Sequence, residues 1–327
     1  MTRDTRLLAK IASWYYLENM NQEDIARRAR LSRSTISRLL QRARDEGVVA
    51  ITVNLPDKTE SFLERRLEDT FGLKEAVVTT RADEEDVPAV LGRAAAGYLH
   101  RILQPGDRIG IGWGDTLWHM AQSLPAAGLH DLTWVQLTGA LGATDKSGAA
   151  ESVRTLASHT NGQAYVLHAP YYVDTQEALE TMQSLPVIAE TIEKWRNLNL
   201  AVVSVGPRDL EDCLIRYGPA VAEVVRQATA LGAVGEICGR FFAGQENPDI
   251  RVPGRVPVGI PLDLLRHVDH IIGVSGGSGR APAIYGALSH HLLDVLITDA
   301  PTARALLDLA GQRRPAGRPN LARTAAP

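Results

Sequence analysis

The sequence predicts an α/β protein in which a small helical head precedes a larger body built on a mainly parallel sheet. From about residue 57 onward, apolar β-rich runs alternate with helical stretches, which is the pattern of strands joined by helices. Ahead of that point, apolar residues recur at the i, i+3 and i+4 spacing of amphipathic helices. The charge changes sign at the same place, since residues 1–56 carry a net charge of +4 and the rest a net charge of −7.

The length and composition fit a globular protein of two or more domains. Its 327 residues are 45% hydrophobic and 22% charged, which is enough apolar material for a core. The two cysteines, Cys213 and Cys238, fit neither a CxxC site nor a disulfide framework, so we expect a cytoplasmic protein. We find no signal peptide and no run of about 18 apolar residues, which argues against export and membrane insertion.

The composition divides the chain into three regions. These are a basic head at residues 1–56, an acidic body at 57–310, and a tail at 311–327. The tail is rich in Pro, Arg and Ala and is expected to be disordered. A basic head on an acidic protein indicates a local contact with a polyanion, because salt confines the attraction to about 10 Å. Nucleic acid is the first candidate.

The head is predicted to form a helix-turn-helix. Asn21 and Asp24 resemble a capping box at the start of a short second helix. Ser32 is a natural N-cap for the third helix, and Gly47 ends it. Weak alternation over residues 48–53 predicts a strand or wing. The predicted helices are 2–20, 22–30 and 33–46.

The third helix has the profile of a recognition helix. Its outward face carries short hydrogen-bonding side chains and arginines that allow close approach to a duplex. In a helix-turn-helix, this helix lies in the major groove and its N-terminal residues reach base edges. We therefore assign Ser34, Thr35 and Arg38 to base edges or adjacent phosphates. The predicted DNA-binding residues are Gln22, Arg33, Ser34, Thr35, Ser37, Arg38 and Arg42, of which Gln22, Arg33 and Arg42 position the DNA backbone.

The segment from Gln22 to Val53 resembles a known family. It reads QEDIARRARLSRSTISRLLQRARDEGVVAITV and is similar to the DNA-binding head of the SorC family of bacterial sugar-responsive transcriptional regulators. Related sigma-factor-like helix-turn-helix heads share this motif, so the body has to decide between them.

The body is predicted to be a Rossmann-like α/β domain with helices on both faces of its sheet. Ligands of such sheets bind beyond the carboxyl ends of the strands. The predicted strands are 75–80, 108–113, 132–137, 164–168, 200–205, 270–275 and 295–298.

Three strand-to-loop junctions have the small residues that let a backbone approach an anion. The first, 110–116, is rich in glycine, and Thr116 is able to cap the following helix. The second, 138–142, is a weaker signal. The third, 275–280, adds the fixed charge of Arg280 at the start of a helix and is the best candidate. A glycine-rich turn is also an ordinary way to pass from a strand into a helix, so the motif does not decide the function.

The body resembles the SorC family as well. The segments DRIGIGWGDTLWHMAQSL, GEICGRFFAG, VPVGIPLDLLRHVDHIIGVSGGSGRAPAIYGAL and LDVLITDAPTARALL follow the order of its effector domains, so the similarity covers about residues 7–307. The resemblance implies a fold similar to sugar-phosphate isomerases and deaminases, and a phosphorylated sugar or polyol as effector. Many relatives have lysine where this chain has Arg280, which keeps the charge but leaves the effector's identity open. The implied effector-binding residues are Gly112, Trp113, Gly114, Thr116, Thr138, Gly139, Gly276, Gly277, Arg280 and Asp299.

An active isomerase or deaminase with a DNA-binding head is the alternative. Isomerisation needs a carboxylate base assisted by lysine or histidine, and Lys146 is able to form a Schiff base with an aldehyde. The available side chains are Asp115, Asp145, Lys146 and Asp299. No tight catalytic motif joins them, so we assign no catalytic residue. We interpret the histidine pairs 267/270 and 290/291 as surface or packing residues, and we predict neither a metal nor a cofactor.

The sequence therefore predicts a transcriptional regulator of a carbohydrate or polyol catabolic operon. A phosphorylated sugar bound in the body is expected to modulate its affinity for double-stranded operator DNA. One helix-turn-helix makes few base contacts, so several heads are required on spaced half-sites. SorC-like proteins are commonly tetramers built through their effector domains, so the resemblance implies a homotetramer here. It also implies that residues 1–56 are the DNA-binding domain and residues 57–310 the effector-binding and oligomerisation domain.

Overall fold

The computed structural model describes residues 3–50, 60–80, 86–141, 148–206, 219–244 and 249–313. The chain divides into two compact units, Met1–Pro56 and Asp57–Pro327, which we call the head and the body. Several sequence predictions fall outside the described residues: positions 51–53 of the wing, Gly142, Asp145, Lys146, Cys213 and the tail from residue 314.

Over its described residues, 3–50, the head contains three helices and one π-helical turn. The elements are α1 (Arg3–Ala12), the π turn (Ser13–Leu17), α2 (Gln22–Ala29) and α3 (Arg33–Asp45). The first helix is shorter than predicted, because after α1 the hydrogen-bond pattern widens: the Glu18 N–H donates to the Ser13 carbonyl at 3.1 Å. Residues 48–50 form no strand, so the described part of the predicted wing is a bend.

The head is held together by a small apolar core. The π turn brings Trp14 onto this core, where only 9% of its surface stays exposed. The Arg28 guanidinium lies 4.5 Å from the centre of the Trp14 ring, a cation–π contact that covers the indole from outside. The buried apolar residues are Leu8, Ile11, Ala12, Trp14, Ile25, Ala26, Ile36, Leu40 and Ala43.

The body is built on a seven-stranded parallel sheet. Its strands are β1 (Glu75–Thr79), β2 (Arg108–Ile111), β3 (Thr133–Gln136), β4 (Gln163–Tyr165), β6 (Leu200–Val203), β10 (His270–Val274) and β11 (Val295–Asp299). Their order is β1-β11-β10-β6-β2-β3-β4, and every neighbouring pair is parallel. All seven predicted strands are present, so the α/β prediction is confirmed.

Helices cover both faces of this sheet. In β6, Leu200 and Val202 belong to one apolar cluster, whereas Ala201 and Val203 belong to another, which shows that both faces are buried. The helices are α4 (Glu60–Phe71), α5 (Val87–Ile102), α6 (Asp115–Ser123), α7 (Ala149–Thr160), α8 (Gln176–Gln183), α9 (Pro186–Lys194), α10 (Pro219–Ala230), α11 (Leu262–Leu265), α12 (Ala281–Ser289) and α13 (Ala300–Arg313), with a 3₁₀ turn at Trp195–Asn197. Helix α13 ends at Arg313, so it includes the first residues of the predicted tail.

Two small antiparallel sheets were not predicted. One pairs β5 (Tyr172–Val173) with β9 (Val256–Pro257). The other is a hairpin of β7 (Gly235–Ile237) and β8 (Arg240–Phe242). Strands of two or three residues have no readable alternation, so the sequence pattern does not reveal them.

The outer edge of β1 is closed by two carboxylates of α4. Glu64 accepts the N–H of Val78, and Glu68 accepts the N–H of Ala76, both at 2.9 Å. Burial raises the pKa of Glu64, although its hydrogen bond from Val78 opposes the shift. The edge strand therefore presents fewer free donors for pairing with another chain.

Candidate functional site

Two predicted caps fix the helix-turn-helix geometry of the head. The Asn21 side chain accepts the Asp24 N–H at 2.9 Å, and the Ser32 hydroxyl accepts the Thr35 N–H at 3.1 Å. Between the helices, Arg30 adopts a left-handed conformation with φ of 57°, so Arg30 makes the sharp part of the turn. The caps predicted at Asn21 and Ser32 are confirmed.

The structure places the predicted DNA-binding residues on the open side of the head. Ile36 and Leu40 face inward and are buried, so the opposite side of α3 is left for a partner. On that side of α3, Thr35 is partly exposed, and the fully exposed residues are Arg33, Ser34, Ser37, Arg38 and Arg42. Gln22, at the start of α2, is also partly exposed. Their contact with DNA stays a prediction.

The positive charge of α3 is concentrated in its N-terminal half. Within the described part of the chain, no hydrogen bond or ion pair holds the side chains of Arg33 and Arg38. In contrast, Arg42 is paired with Glu46, and Gln41 donates to Asp45 at 2.9 Å. The arginines that are free to meet phosphate or base edges are thus those nearest the start of the helix.

The start of α2 and the start of α3 border one open groove of about 600 Å³. Gln22 and Arg33 both line it, so the structure brings together two of the residues predicted to position the DNA backbone. Tyr15 and Tyr16, which are not among the predicted DNA-binding residues, line the same groove and contact each other edge to face, with their ring centres 4.9 Å apart.

In the body, the sheet has a topological switch point between β2 and β6. These strands are neighbours, but the chain moves from β2 to β3 and β4 on one side and from β6 to β10 and β11 on the other. The loops that leave β2 and β6 therefore diverge and open a crevice at the carboxyl ends, where ligands of such sheets bind.

The first junction lies at this crevice. The Gly112 N–H donates to the Val202 carbonyl at 2.9 Å, which ties the loop to β6. Gly114 has φ of 129° and faces Ser204, a conformation that L-residues avoid. Helix α6 starts directly afterwards without a side-chain cap, so its first N–H groups point toward the crevice, and Thr116 lies in its first turn.

The third junction meets the crevice through Arg280. Its guanidinium donates to the Val205 carbonyl at 3.3 Å, next to the end of β6. Asp299 is 3% exposed, and it accepts the N–H of Gly277 and both the N–H and the hydroxyl of Thr302. Asp299 thus holds the loop in place, and its predicted contact with the effector stays a prediction.

The second junction is closely packed. The Gly139 N–H donates to the Val258 carbonyl at 2.8 Å, and a Cβ at this position would overlap the Pro170 carbonyl. Thr138 is fully buried, and its hydroxyl has no hydrogen-bond partner within the described residues. Gly139 is required here for close packing of two backbones, a role that glycine-rich spacing alone did not distinguish from ligand binding.

Two residues that the sequence did not predict for the site, Tyr171 and Glu236, lie beside these junctions. Tyr171 contacts the Trp113 ring edge to face at 5.6 Å, and its hydroxyl donates to Glu236 at 3.4 Å. Glu236 also accepts the Gly239 N–H at 2.8 Å. A strand-end cavity of about 290 Å³ opens beside this network. Its lining includes Trp113, Gly139, Gly148, Arg154 and Tyr171.

Glu236 is the most perturbed acid of this region. Burial raises its pKa to about 7, while its bonds from Gly239 and Tyr171 and the charge of Arg280 oppose the rise. Burial also raises the pKa of Tyr171 well above its usual value, and the Glu236 carboxylate adds to this. Near neutral pH, Glu236 therefore exchanges between an acceptor and a donor of hydrogen bonds.

One sequence signal was available for Glu236. It is the only charged residue in the run from Leu231 to Cys238, and a carboxyl group inside an apolar run calls for a partner or a function. Tyr171 has no comparable signal, because a tyrosine beside Pro170 is common in loops.

The side chains considered for an isomerase or deaminase are not seen to form a catalytic site in the described part of the chain. Asp145 and Lys146 lie outside the described residues, and Asp115 begins α6. His270 bonds the Tyr98 hydroxyl at 3.0 Å, and His290 lies 3.0 Å from the Ala243 carbonyl. Over the ranges that the structure covers, no group of three or more His, Cys, Asp or Glu side chains is arranged to hold a metal ion.

Comparison with known proteins decides the family. Residues 58–308 match the family described as "Putative sugar-binding domain". The chain is 31% identical over 312 residues to the deoxyribonucleoside regulator of Bacillus subtilis, covering 94% of this chain and 99% of that protein. The chain belongs to the SorC family of transcriptional regulators.

Further relatives support this membership. The sorbitol operon regulator of Klebsiella pneumoniae is 29% identical over 311 residues, covering 93% of this chain and 98% of that protein. The crystal structure of full-length SorC from Klebsiella pneumoniae matches with a TM-score of 0.69 and 28% identity, covering 94% of this chain and all of the other. The predicted family and regulator class are confirmed, and the enzyme alternative is not supported, since these relatives are transcriptional regulators.

Proposed function

We propose that this SorC-family regulator binds operator DNA through its head and that a phosphorylated sugar or polyol in the strand-end cavity changes its affinity for that DNA. The relatives are regulators of sugar and polyol operons by name, and this chain shares their sugar-binding domain. Its DNA is the promoter of a carbohydrate or polyol catabolic operon.

The observation that carries the DNA-binding part is the distribution of charge on α3. Arg33 and Arg38 are exposed without partners in the described chain, beside the hydroxyls of Ser34 and Thr35. Because the C-terminal turn pairs Arg42 with Glu46, phosphate attraction is strongest where the helix enters a major groove.

The effector proposal rests on the chemistry at the strand ends. The uncapped start of α6 and the Arg280 guanidinium supply donors for a phosphate. Trp113 and Tyr171 provide an aromatic wall for the carbon face of a sugar. The cavity of about 290 Å³ that Trp113 and Tyr171 line has room for a monosaccharide.

Assembly and location follow from the same proposal. Specific recognition requires more than one head per operator, so the chain acts as a homo-oligomer, with a tetramer as the expected form. It works in the cytoplasm, where operator DNA lies. No helix within the described ranges is both long enough and apolar enough to cross a membrane.

Loss of specific binding in Arg38→Ala tests the DNA-binding proposal. A duplex selected from a random library by the purified full-length chain serves as operator, and fluorescence anisotropy measures its affinity. Removing one guanidinium from the reading face is expected to weaken binding at least about tenfold and to reduce its salt dependence.

Arg44→Ala is the matched control, because Arg44 lies on the same helix, is exposed and bonds Gln41. Its affinity is expected to stay close to that of the unmodified chain. Equal losses in both variants, or no loss in Arg38→Ala, would contradict the assignment of α3 as the recognition helix.

A further inference from the structure

A second cavity lies in the body, away from the strand-end cavity. This side cleft has a volume of about 600 Å³ and opens between α8, the β5–β9 pair and the β7–β8 hairpin. The side cleft and the strand-end cavity share no lining residue. None of the predicted effector-binding residues lines this cleft.

The floor of the side cleft is apolar. Leu179, Phe241, Ile250 and Val252 line it, yet each is only 5–6% exposed. These side chains form a firm surface, and Tyr172 stands beside them. Such a floor suits the carbon–hydrogen face of a small ligand.

Arg240 supplies fixed hydrogen-bond donors at this floor. Its Nε donates to the Ile260 carbonyl at 2.8 Å and its Nη2 to the Gly259 carbonyl at 3.0 Å. The two bonds hold the guanidinium in one orientation, and three further N–H groups remain. Burial lowers the pKa of Arg240, while the charges of Asp249 and Asp263 oppose this.

The other charges of the cleft largely cancel. Arg251 is paired with Asp249 at 3.7 Å, and Arg255 is paired with Asp174. Within the described chain, no hydrogen bond or ion pair holds the carboxylate of Asp263, which is exposed, lines the cleft and acts on Arg240 only through its charge. An anionic ligand would therefore meet a free carboxylate together with the guanidinium of Arg240, which disfavours a phosphate.

We propose that the side cleft is a second ligand site, which binds a neutral sugar or polyol. Neighbouring hydroxyls accept hydrogen bonds from Arg240 and donate them to Asp263, and Gln183 offers both kinds of group at the rim. The apolar floor takes the less polar face of the ligand. The volume admits one hexitol or a small disaccharide.

The side cleft is coupled to the strand-end cavity through the turn of the β7–β8 hairpin. Gly239 lines the cleft, and its N–H bonds the carboxylate of Glu236. Cys238 and Gly239 both have positive φ, so the turn has little freedom to move one residue without the other. A ligand on Arg240 thus acts on the position of Glu236, and the unphosphorylated compound modulates the response to the phosphorylated one.

Calorimetric titration of the full-length chain with D-glucitol, D-mannitol, D-glucose and maltose tests this proposal. At least one probe is expected to bind saturably, and Asp263→Asn is expected to weaken that binding about tenfold, the loss of roughly one charged hydrogen-bonding partner. Asp269→Asn, another exposed aspartate outside the cleft, serves as the control and is expected to change nothing.

The proposal is overturned if none of the four probes binds saturably. It is also overturned if Trp113→Ala abolishes the binding while Asp263→Asn leaves it intact, because the ligand then lies in the strand-end cavity. A third outcome also rejects the proposal. If the original chain binds no sugar and light scattering shows that Asp263→Lys changes the molar mass, the cleft is a contact between copies of the chain.

Discussion

At the scale of single residues, the body places chemistry where the sequence gives little warning of it. Glu236 is buried at the hairpin beside Tyr171, and its pKa is raised to about 7, mainly by burial. The unfolded carboxyl would release its proton near 4.5. Unfolding therefore releases a proton between these two pH values, and the free energy of unfolding falls as pH rises through this window.

Glu236→Gln is expected to remove this pH dependence. The amide oxygen still accepts the N–H of Gly239, and the side chain stays neutral. At about pH 8 the variant should be more stable than the original chain by about 3 kcal/mol, and at about pH 4 the difference should vanish. Thermal melts over this pH range measure it. Glu190→Gln, at an exposed position, is the control, and a pH-independent difference for Glu236→Gln would contradict the assignment.

Gly139→Ala is expected to destabilise the body by about 2–4 kcal/mol. Its Cβ would overlap the Pro170 carbonyl. Because both contacting groups belong to the backbone, relieving the overlap would require a backbone shift that costs free energy. Gly97→Ala is the matched control, since Gly97 lies exposed in α5 with open space around it, and it should gain up to about 1 kcal/mol. Denaturant unfolding compares the two, and equal effects would rule out the packing role of Gly139.

At the scale of elements, strands and caps were predictable because each depends on local pattern. The central strands of the large sheet are apolar runs buried on both faces, and Asn21 and Ser32 lie where a cap is needed. The elements that the sequence did not predict depend on contacts between residues that are distant in sequence. The π turn at Ser13–Leu17 continues an ordinary helical pattern, and the two-residue strands β5 and β9 gain their identity only by pairing with each other.

The candidate site follows the same division. The junctions around Gly112 and Arg280 were predictable, because small residues after a strand mark the carboxyl end of a parallel sheet. The partnership of Tyr171 with Glu236 was not, since 65 residues separate them. Asp299 lies at the predicted strand end, but its carboxylate accepts hydrogen bonds from Gly277 and Thr302. The residue type alone does not predict these partners.

Edge protection by α4 is an element-level property that can be tested. In the double variant Glu64→Ala and Glu68→Ala, the N–H groups of Ala76 and Val78 lose their acceptors. Their hydrogen exchange should accelerate, and aggregation on heating should increase. Asp69→Ala, an exposed position on the same helix, should leave both unchanged. Unaltered exchange at β1 in the double variant would show that the carboxylates do not protect the edge.

At the scale of the whole molecule, the head and the body are separate compact units that carry different parts of the proposed function. A ligand at the strand ends changes DNA affinity only if it prefers one arrangement of the heads in the assembly over another. The coupling is reciprocal, so operator DNA should alter effector affinity by the same factor.

Arg280→Ala should separate sensing from DNA binding. Loss of its guanidinium at the crevice is expected to weaken the binding of pentose, hexose and polyol phosphates at least about tenfold, while DNA affinity without effector is retained. Thermal shifts with these phosphates and anisotropy with the selected duplex measure the two properties. Arg304→Ala, an exposed position on α13, is the control. Undiminished thermal shifts in Arg280→Ala would remove that residue from the effector site.

The order in which the chain supplies the walls of the crevice has a consequence for shortened products of the gene. Trp113, Tyr171, Glu236 and Arg280 come from four segments spread over half of the sequence, and the last arrives with the loop after β10. If the proposed function holds, a premature stop or frameshift anywhere before residue 280 removes Arg280 from the effector site, whatever becomes of the first 56 residues.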